Sequence, residues 1–272
     1  MAKHATLQPV QTTYPASASF LDQIEIQHGP VAILGRFFLA ADAAARACGI
    51  TLSFASLTEL VRTNEANSDS WRPLLALFDD RCLEATPDNT FCIVGRDSTG
   101  RIVATHAARL YDFTGTSFHE EAESLRLFYS DPQRMRRPGE ALEITAPSAR
   151  KITGLTIFSG AAWYHPDFRG RSLSTIMPRI GKAYALARWP ASTIVSFMAE
   201  DIYARGFASR FGYDNVDWEV GMKNTRVGTL RAALVSVSRE RALEYIARFL
   251  SDSRPQVDAG VLDRGAQQVG WQ

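Results

Sequence analysis

The 272-residue chain has few of the residues that build disulfide scaffolds or zinc ribbons. Its three cysteines, Cys48, Cys82 and Cys92, are odd in number and form no Cys-x-x-Cys pair. Such a set disfavours both kinds of site and suits a reducing compartment. We therefore expect a cytoplasmic protein without a bound metal.

An excess of one charge and long apolar runs are also missing. Thirty Lys and Arg residues face 29 Asp and Glu residues, which leaves a net charge of +1 and no global field to attract nucleic acid or anionic lipid. The uncharged run from Ile152 to Pro166 is too short, and too rich in Gly and Ser, to span a bilayer. The N-terminus shows no apolar signal-peptide core. These features predict no nucleic-acid partner and no membrane segment.

Three common catalytic motifs are absent from the sequence as well. There is no Gly-x-Ser-x-Gly elbow, no Walker loop and no Gly-x-Gly-x-x-Gly fingerprint. A serine hydrolase, a P-loop NTPase and a dinucleotide oxidoreductase therefore lack sequence support.

The composition, 46% hydrophobic and 22% charged, is that of a globular chain. Residues 1–28 mix Gln, Thr, Ser, Ala and Pro without a period and are predicted to be a mobile arm. Residues 251–272 are predicted to be a flexible tail, which leaves 29–250 as a single domain. The segment 116–150 is long for a connection in a compact domain, so we interpret it as an insertion and a candidate lid over an acceptor site.

Helix and strand signals alternate through this domain. Ser56 and Glu59 form a capping box, as do Ser117 and Glu120, and residues 97–100 read as a hairpin loop. The patterns predict helices over 31–48, from 56, from 70, over 118–129, 173–184, 202–211 and 242–250. They predict strands over 50–55, 90–96, 101–112, 151–164, 192–198, 216–222 and 228–237, with 133–150 irregular. The fold class is therefore α/β (α+β around one mixed sheet).

The segment from residue 161 to 174 carries the most specific chemistry. A buried strand ends at Pro166, a short loop holds Arg169, Gly170 and Arg171, and an amphipathic helix begins at once. The first-turn amides of a helix have no partner within the helix and favour negative charge by about 0.3–1 kcal/mol. Gly170 lets the backbone approach a ligand closely, so the loop predicts a phosphate cradle.

Here the chain resembles the GNAT superfamily of N-acetyltransferases, whose acetyl-CoA loop reads Arg/Gln-x-x-Gly-x-Gly/Ala after a strand ending Val-x-Pro. Arg169 to Ser174 stands in that register, and Phe211-Gly212-Tyr213 resembles the family's later Leu-Gly-Phe. The match covers about 155–222. The resemblance implies a GNAT-like fold, extended by an N-terminal helix and a C-terminal helix. It also implies an acetyl-CoA cosubstrate bound by Ala162, Trp163, Tyr164, Arg169, Gly170, Arg171, Ser172, Leu173, Ser174 and Thr175.

The sequence departs from the family at several positions. Ser172 and Ser174 stand where the family has Gly or Ala, so each Cβ crowds the pyrophosphate site. Ala208 stands where many members have a Tyr general acid. Tyr203 is five residues away, about 140° around a helix, and does not replace that Tyr simply.

The general base is not fixed by the pattern. The catalytic candidates are Glu200, Tyr203 and His165. Glu200 fits equally well as a first-turn acid that complements a helix dipole, and His165 fits a loop role better than a catalytic one. Glu140 and Glu143 in the insertion are alternatives that would face the acceptor, and His106 is expected to be a buried structural histidine.

The resemblance predicts an acyl-CoA-dependent N-acyltransferase that moves acetyl to a small-molecule or peptide amine by direct attack. Two alternatives stay open. One is a non-catalytic GNAT-like module that senses CoA or a partner. The other is a transferase of the same fold with a different acyl donor, such as an acyl-homoserine-lactone synthase. The oligomeric state is open too, a homodimer included.

Overall fold

The computed structural model describes residues 19–252. Its centre is one eight-stranded mixed sheet in the order β1-β2-β3-β5-β6-β8-β7-β4. All neighbouring pairs are antiparallel except β5 and β6. The strands are β1 (Thr51–Ala55), β2 (Thr90–Arg96), β3 (Ile102–Phe113), β4 (Ala141–Ile144), β5 (Gly154–Tyr164), β6 (Thr193–Ala199), β7 (Asn215–Thr225) and β8 (Gly228–Ser238).

Eight α-helices accompany the sheet within the described residues. They are α1 (Val31–Ala47), α2 (Leu57–Ala66), α3 (Phe118–Glu123), α4 (Pro132–Met135), α5 (Leu173–Arg188), α6 (Glu200–Tyr203), α7 (Phe207–Arg210) and α8 (Arg239–Asp252). The predicted mixed sheet with flanking helices, one N-terminal and one C-terminal to it, is thereby confirmed.

Two hydrophobic layers cover the two faces of the sheet. Side chains of α1, α5 and α8 form one layer, which includes Phe37, Ile180 and Ile246. Side chains of α2, of residues 74–78 and of the insertion form the other layer. Neighbouring strand residues alternate between the layers: Ile157 faces α5, and Phe158 faces the insertion.

The two parallel strands in the middle of the sheet separate towards their C-terminal ends. β5 and β6 pair only at Thr156–Phe158 with Thr193–Val195. Beyond that point β5 pairs with β3 alone and β6 with β8 alone. A register shift lies between Thr105 and Ala107 of β3, and opposite it Ala161 has a φ of 52°. We call the opening between residues 159–164 and 196–199 the fork.

Several local predictions are correct and have visible causes. The Ser56 hydroxyl accepts from the Glu59 amide at 3.1 Å and begins α2. Gly49 has a φ of 82° directly after α1, as a C-cap glycine should. The hairpin of β2 and β3 and the long strand β5 lie where the sequence places them.

Four local predictions are wrong. The helix expected from residue 70 is only a 3-10 turn at Ala76–Phe78, because Pro73 disfavours helical backbone in the residue before it. The helix expected over 118–129 ends at Glu123, since the Ser124 hydroxyl binds the Glu120 carbonyl at 2.6 Å and Leu125 turns left-handed.

The third error concerns the region expected to be irregular. Its residues 141–144 form β4, which pairs with the edge strand β7. The insertion thus crosses a face of the sheet and adds a strand to it. The helix expected over 202–211 is also divided into α6 and α7 by Gly206, whose φ is 74°.

Part of the predicted N-terminal arm is packed. Phe20 is 1% exposed and lies 5.4 Å from the Phe54 ring, and the amides of Gln27 and His28 donate to the Ala187 carbonyl. At the other end, α8 continues to Asp252, two residues into the predicted tail. Residues 1–18 of the predicted arm and 253–272 of the predicted tail lie outside the described residues.

Candidate functional site

The loop between β5 and α5 presents a row of backbone amides. Gly170 and Ser172 both have left-handed backbone, with φ of 81° and 61°, and α5 begins at Leu173. Within residues 19–252 no protein group accepts a hydrogen bond from the amides of residues 170 to 174. The first amides of this region with a protein acceptor are those of Thr175 and Ile176, which donate to the Ser172 carbonyl. We call the five amides of residues 170–174 the amide cradle.

The amide cradle has the properties of an anion site. It stands at the positive end of a 16-residue helix, where backbone donors and the helix dipole act together. A Cβ built on Gly170 would meet nothing within 4 Å, so the approach to this backbone is open. The loop is exposed at Arg169 through Ser172. The residues present therefore fit a pyrophosphate group.

The two loop arginines take different positions. Arg169 donates through Nε to the Tyr164 carbonyl at 3.3 Å and through Nη2 to the Ser70 carbonyl at 3.4 Å. The Arg171 guanidinium lies 4.3 Å from the centre of the Phe168 ring. Both side chains stay at the protein surface beside the amide cradle, available as charge-assisted donors.

The last residues of β5 turn backbone groups towards the fork. The His165 amide donates to the Val103 carbonyl at 2.8 Å, so this amide points at β3. Because successive amides of a strand point to opposite sides, the Tyr164 amide points away from β3, towards the fork. Trp163 is anchored on the opposite layer, where its ring stacks on Trp71 at 5.0 Å and its Nε1 donates to the Ser70 hydroxyl at 3.3 Å.

Polar side chains whose role the sequence did not reveal lie at the base of the fork. Ser159 of β5 and Ser196 of β6 are the first residues after the strands part. Burial raises the pKa of Tyr213 to about 12, against the opposing effect of Ser159 and Ser196. The His106 Nε2 lies 3.1 Å from the Ser159 hydroxyl. The predicted buried structural role of His106 agrees with this position.

Lys182 of α5 is the second group missed by the sequence. It is 1% exposed, donates through Nζ to the Phe211 carbonyl at 2.7 Å and lies 3.9 Å from the centre of the Tyr213 ring. Burial, reinforced by the charge of Arg179, lowers its pKa to about 7. Its partners lie about 30 residues away in the chain, so no local pattern reveals them.

The three catalytic candidates do not converge. Glu200 begins α6 at the end of β6, is exposed, and lies 3.5 Å from the Arg231 guanidinium. Tyr203 is 39% exposed and packs edge-on against Trp218 at 5.5 Å. Both follow the end of β6, whereas His165 follows the end of β5.

The ring nitrogens of His165 are engaged by its own loop and by the β2–β3 turn. Arg101 Nη1 lies 3.4 Å from Nε2. Nδ1 accepts from the Asp167 backbone amide at 3.3 Å and lies 3.3 Å from the Asp167 carboxylate. This arrangement fits the loop role for His165 that the sequence favoured.

A cavity of about 380 Å³ lies at the same end of the sheet as the fork. Arg226, which lines the cavity, lies in the turn between β7 and β8. This turn lies at the end of the sheet where β6 ends, because Ala232 near the start of β8 pairs with the last residue of β6. Its lining residues Cys82, Tyr129 and Met135 pack in the layer opposite α5. We call it the guanidinium cavity, and it is lined by Pro73, Asp79, Arg81, Cys82, Tyr129, Met135, Arg137 and Arg226.

Phe78 connects this cavity with the fork. A Cβ built on Gly160 of β5 would lie 2.9 Å from the Phe78 ring, so the ring rests directly on the strand where the fork begins. The next residue, Asp79, lines the guanidinium cavity. The amide cradle thus lies on the α5 side of the sheet and the guanidinium cavity on the other side, with the fork between them.

Metal ligands are not grouped anywhere in the described part of the chain. No set of three or more His, Cys, Asp or Glu side chains there is close enough to hold an ion. Among residues 19–252, no helix combines the length and apolar character needed to cross a membrane.

No family model matches the chain, and no curated protein matches its sequence. Solved structures do resemble it. NAA60 of Arabidopsis thaliana, solved with acetyl-CoA, is 10% identical over 70% of this chain and 99% of its own, with a TM-score of 0.43. The spermidine/spermine N-acetyltransferase SpeG of Vibrio cholerae is 6% identical over 72% and 97%, with a TM-score of 0.42.

A third similar structure is the GNAT-family N-acetyltransferase YhbS of Escherichia coli, solved with CoA. It is 12% identical over 71% of this chain and 84% of its own, with a TM-score of 0.38. All three similarities are distant, so the geometry of this chain itself carries the functional argument.

Proposed function

We propose that this chain is an acyl-CoA-dependent N-acyltransferase that moves acetyl from acetyl-CoA to a primary amine by direct attack. The observation that carries the proposal is the amide cradle at the end of the sheet where β5 and β6 part, five successive backbone donors that find no acceptor among residues 19–252. Leu173 is buried and Ser174 half-buried, and a free amide in such a position is costly unless a ligand or water satisfies it. The amide cradle favours an anionic ligand, and a pyrophosphate group is large enough to accept hydrogen bonds from several of its amides.

The fork gives the rest of the cosubstrate a defined path. Backbone groups at the end of β5 face the fork without a strand partner there, so an extended amide-containing chain would pair with them like an added strand. Acetyl-CoA supplies an activated thioester when bound. The Tyr164 amide, which points into the fork, is the proposed donor to the carbonyl oxygen as negative charge develops on it. Such a donor contributes about 2.7–4 kcal/mol in comparable enzymes.

The amine must lose a proton to react. Lysine-like amines have a pKa near 10.4, so deprotonation at pH 7 opposes the reaction by about 4.6 kcal/mol. We propose Glu200 as the group that receives this proton, directly or through water, because it follows the last residue of β6 at the mouth of the fork. The Arg231 guanidinium lies 3.5 Å from its carboxylate.

One alternative function has observations of its own. Ala208 is buried where many members of the resembled family carry a catalytic Tyr, and Ser172 places a side chain on a left-handed position of the amide cradle. Both features favour a module that binds CoA without turnover. Transfer from a different acyl donor is the other open alternative.

Two measurements test the proposal. Calorimetry with acetyl-CoA measures binding, and release of free thiol on a panel of amines measures transfer. We expect Gly170→Asp to abolish acetyl-CoA binding, because it places a negative charge in the amide cradle, and Arg169→Ala to weaken binding about tenfold. Arg36→Ala, which changes an exposed arginine of α1, serves as the matched control.

The outcomes separate the alternatives. Binding with thiol release supports the enzyme, and binding without release on the whole panel supports the sensor. Binding that is unchanged by Gly170→Asp would refute the assignment of the amide cradle. Full kcat at all pH values in Glu200→Gln would refute the assignment of the base.

A further inference from the structure

The guanidinium cavity has a surplus of positive charge. Three arginines and one aspartate line it, which gives the lining a formal charge of +2. Two of the arginines are committed to the aspartate. Asp79 is 1% exposed and accepts from Arg81 through two guanidinium nitrogens at 2.8 Å and from Arg226 at 2.7 Å. Burial alone would raise the pKa of Asp79, but these bonds outweigh it and hold the pKa at about 2.

Arg137 is the arginine of the lining that is not neutralised. Its Nη1 donates to the Thr225 carbonyl at 3.0 Å, which fixes the guanidinium at the cavity. Among residues 19–252, no carboxylate lies within ion-pair distance of it. The side chain therefore keeps both its charge and unused donors.

Two other carboxylates near the cavity do not cancel this charge directly. Glu140 accepts from the Tyr129 hydroxyl at 3.0 Å and from the Arg137 backbone amide at 2.8 Å, and it lines a smaller adjoining cavity. Glu65 reaches Arg81 at 3.5 Å from the exposed side, where solvent screens the pair.

The size and the chemistry of the cavity limit its ligand. A volume of about 380 Å³ is in the range of small-molecule sites and excludes a folded domain. The planar fork of an arginine matches a carboxylate with two parallel hydrogen bonds. A ligand with only cationic groups would face the repulsion of the lining charge.

We infer that the guanidinium cavity binds the carboxylate of an acceptor that carries both an amine and a carboxylate, with Arg137 as its anchor. This inference rests on the proposed function, because it places the amine towards the fork. In the transfer, the neutral amine nitrogen forms a bond to the thioester carbonyl carbon and the carbon–sulfur bond breaks. The amine proton passes to the base and then to the departing thiolate. Atoms and charge balance without a further reactant.

Matched pairs of amines that differ only in the carboxylate test the inference. They are L-lysine with 1,5-diaminopentane, L-phenylalanine with 2-phenylethylamine, and L-methionine with 3-(methylthio)propylamine. We expect kcat/KM for thiol release to be higher for the carboxylate member. In Arg137→Gln, KM for that member should rise about 10- to 100-fold with little change in kcat, and KM for the other member should not rise.

Arg134→Gln is the control variant. Arg134 lies in α4, three residues earlier, with a side chain that is 86% exposed, and its loss should leave both members unaffected. Equal melting temperatures of the two variants show that Arg137→Gln is folded. Equal use of both members of every pair, or an equal effect of Arg137→Gln on both, would overturn the inference while leaving acyl transfer intact.

Direct binding separates this result from a failure of the enzyme proposal. If no amine on the panel is acetylated, the proposed function fails. Calorimetric titration of the CoA-saturated protein with the same pairs then still decides whether the guanidinium cavity binds a carboxylate. Tighter binding of the carboxylate members, lost in Arg137→Gln, supports the site. No preference for a carboxylate in any pair refutes it.

Discussion

Replacing Lys182 by methionine tests the energetics at the base of the fork. The lysine is buried in the middle of α5, where its Nζ has one carbonyl partner and one aromatic ring beside it. Burial lowers its pKa from 10.5 to about 7, with a smaller contribution from Arg179. Methionine has a similar length and no charge, so Lys182→Met removes the titrating group with little change in packing.

The sign and size of the effect follow from proton linkage. Between pH 7 and 10.5 the unfolded chain holds a proton on this lysine that the folded chain has released. The free energy of unfolding therefore rises with pH in this window and is independent of this group below and above it. The full shift corresponds to about 5 kcal/mol, of which about 2 kcal/mol falls between pH 7 and 9.

Urea unfolding at pH 7, 8 and 9 measures this dependence. We expect the wild-type free energy of unfolding to rise by about 2 kcal/mol over the range and that of Lys182→Met to stay nearly constant. Lys223→Met, at an exposed lysine, should keep the wild-type slope. Parallel curves for wild type and Lys182→Met would refute the reasoning, because they would show a lysine that stays charged in the folded state.

Two further substitutions test the amide cradle and the insertion. Ser172→Gly should raise the free energy of unfolding by about 0.5–1 kcal/mol, since Ser172 has a φ of 61° that glycine adopts without strain. The same substitution should not weaken acetyl-CoA binding. A weaker complex would show that the serine side chain contributes to the site. Phe118→Ala should lower the free energy of unfolding by about 3–5 kcal/mol, because the ring is fully buried and its centre lies within 6.4 Å of the ring centres of Phe158 and Phe197. Urea unfolding measures this loss. A loss below about 1 kcal/mol would mean that the insertion is not part of the core.

The elements that the sequence predicts well are those determined by neighbouring residues. The Ser56 cap, the Gly49 stop and the β2–β3 turn each depend on contacts within a few positions. The helical stripe of α5 reflects burial of one face, which hydrophobic periodicity records. For the same reason the loop at residues 169–174 could be identified before its geometry was known.

The features that the sequence missed depend on partners far along the chain. β4 is a strand because β7 offers an edge about 80 residues later. The guanidinium cavity brings the β7–β8 turn together with the segments around Asp79 and Arg137. In the sequence, each of its arginines looks like an ordinary surface residue. The general base remains a prediction for a similar reason, since Glu200, Tyr203 and His165 have ordinary local roles as well.

The candidate site lies where two kinds of unpaired backbone meet. A parallel pair of strands that stops pairing at Phe158 and Val195 leaves strand amides without a partner on one side. The chain then leaves β5 at this same end and begins α5, whose first amides cannot be satisfied within the helix. Because β5 runs directly into the loop of the helix, both sets of donors must lie at the same end of the sheet. A ligand that carries an anionic group and an extended amide chain satisfies both at once, whereas an isolated phosphate would satisfy only the helix. Acetyl-CoA should therefore bind more tightly than pyrophosphate alone, and equal affinities in calorimetry would show that the fork contributes nothing to binding.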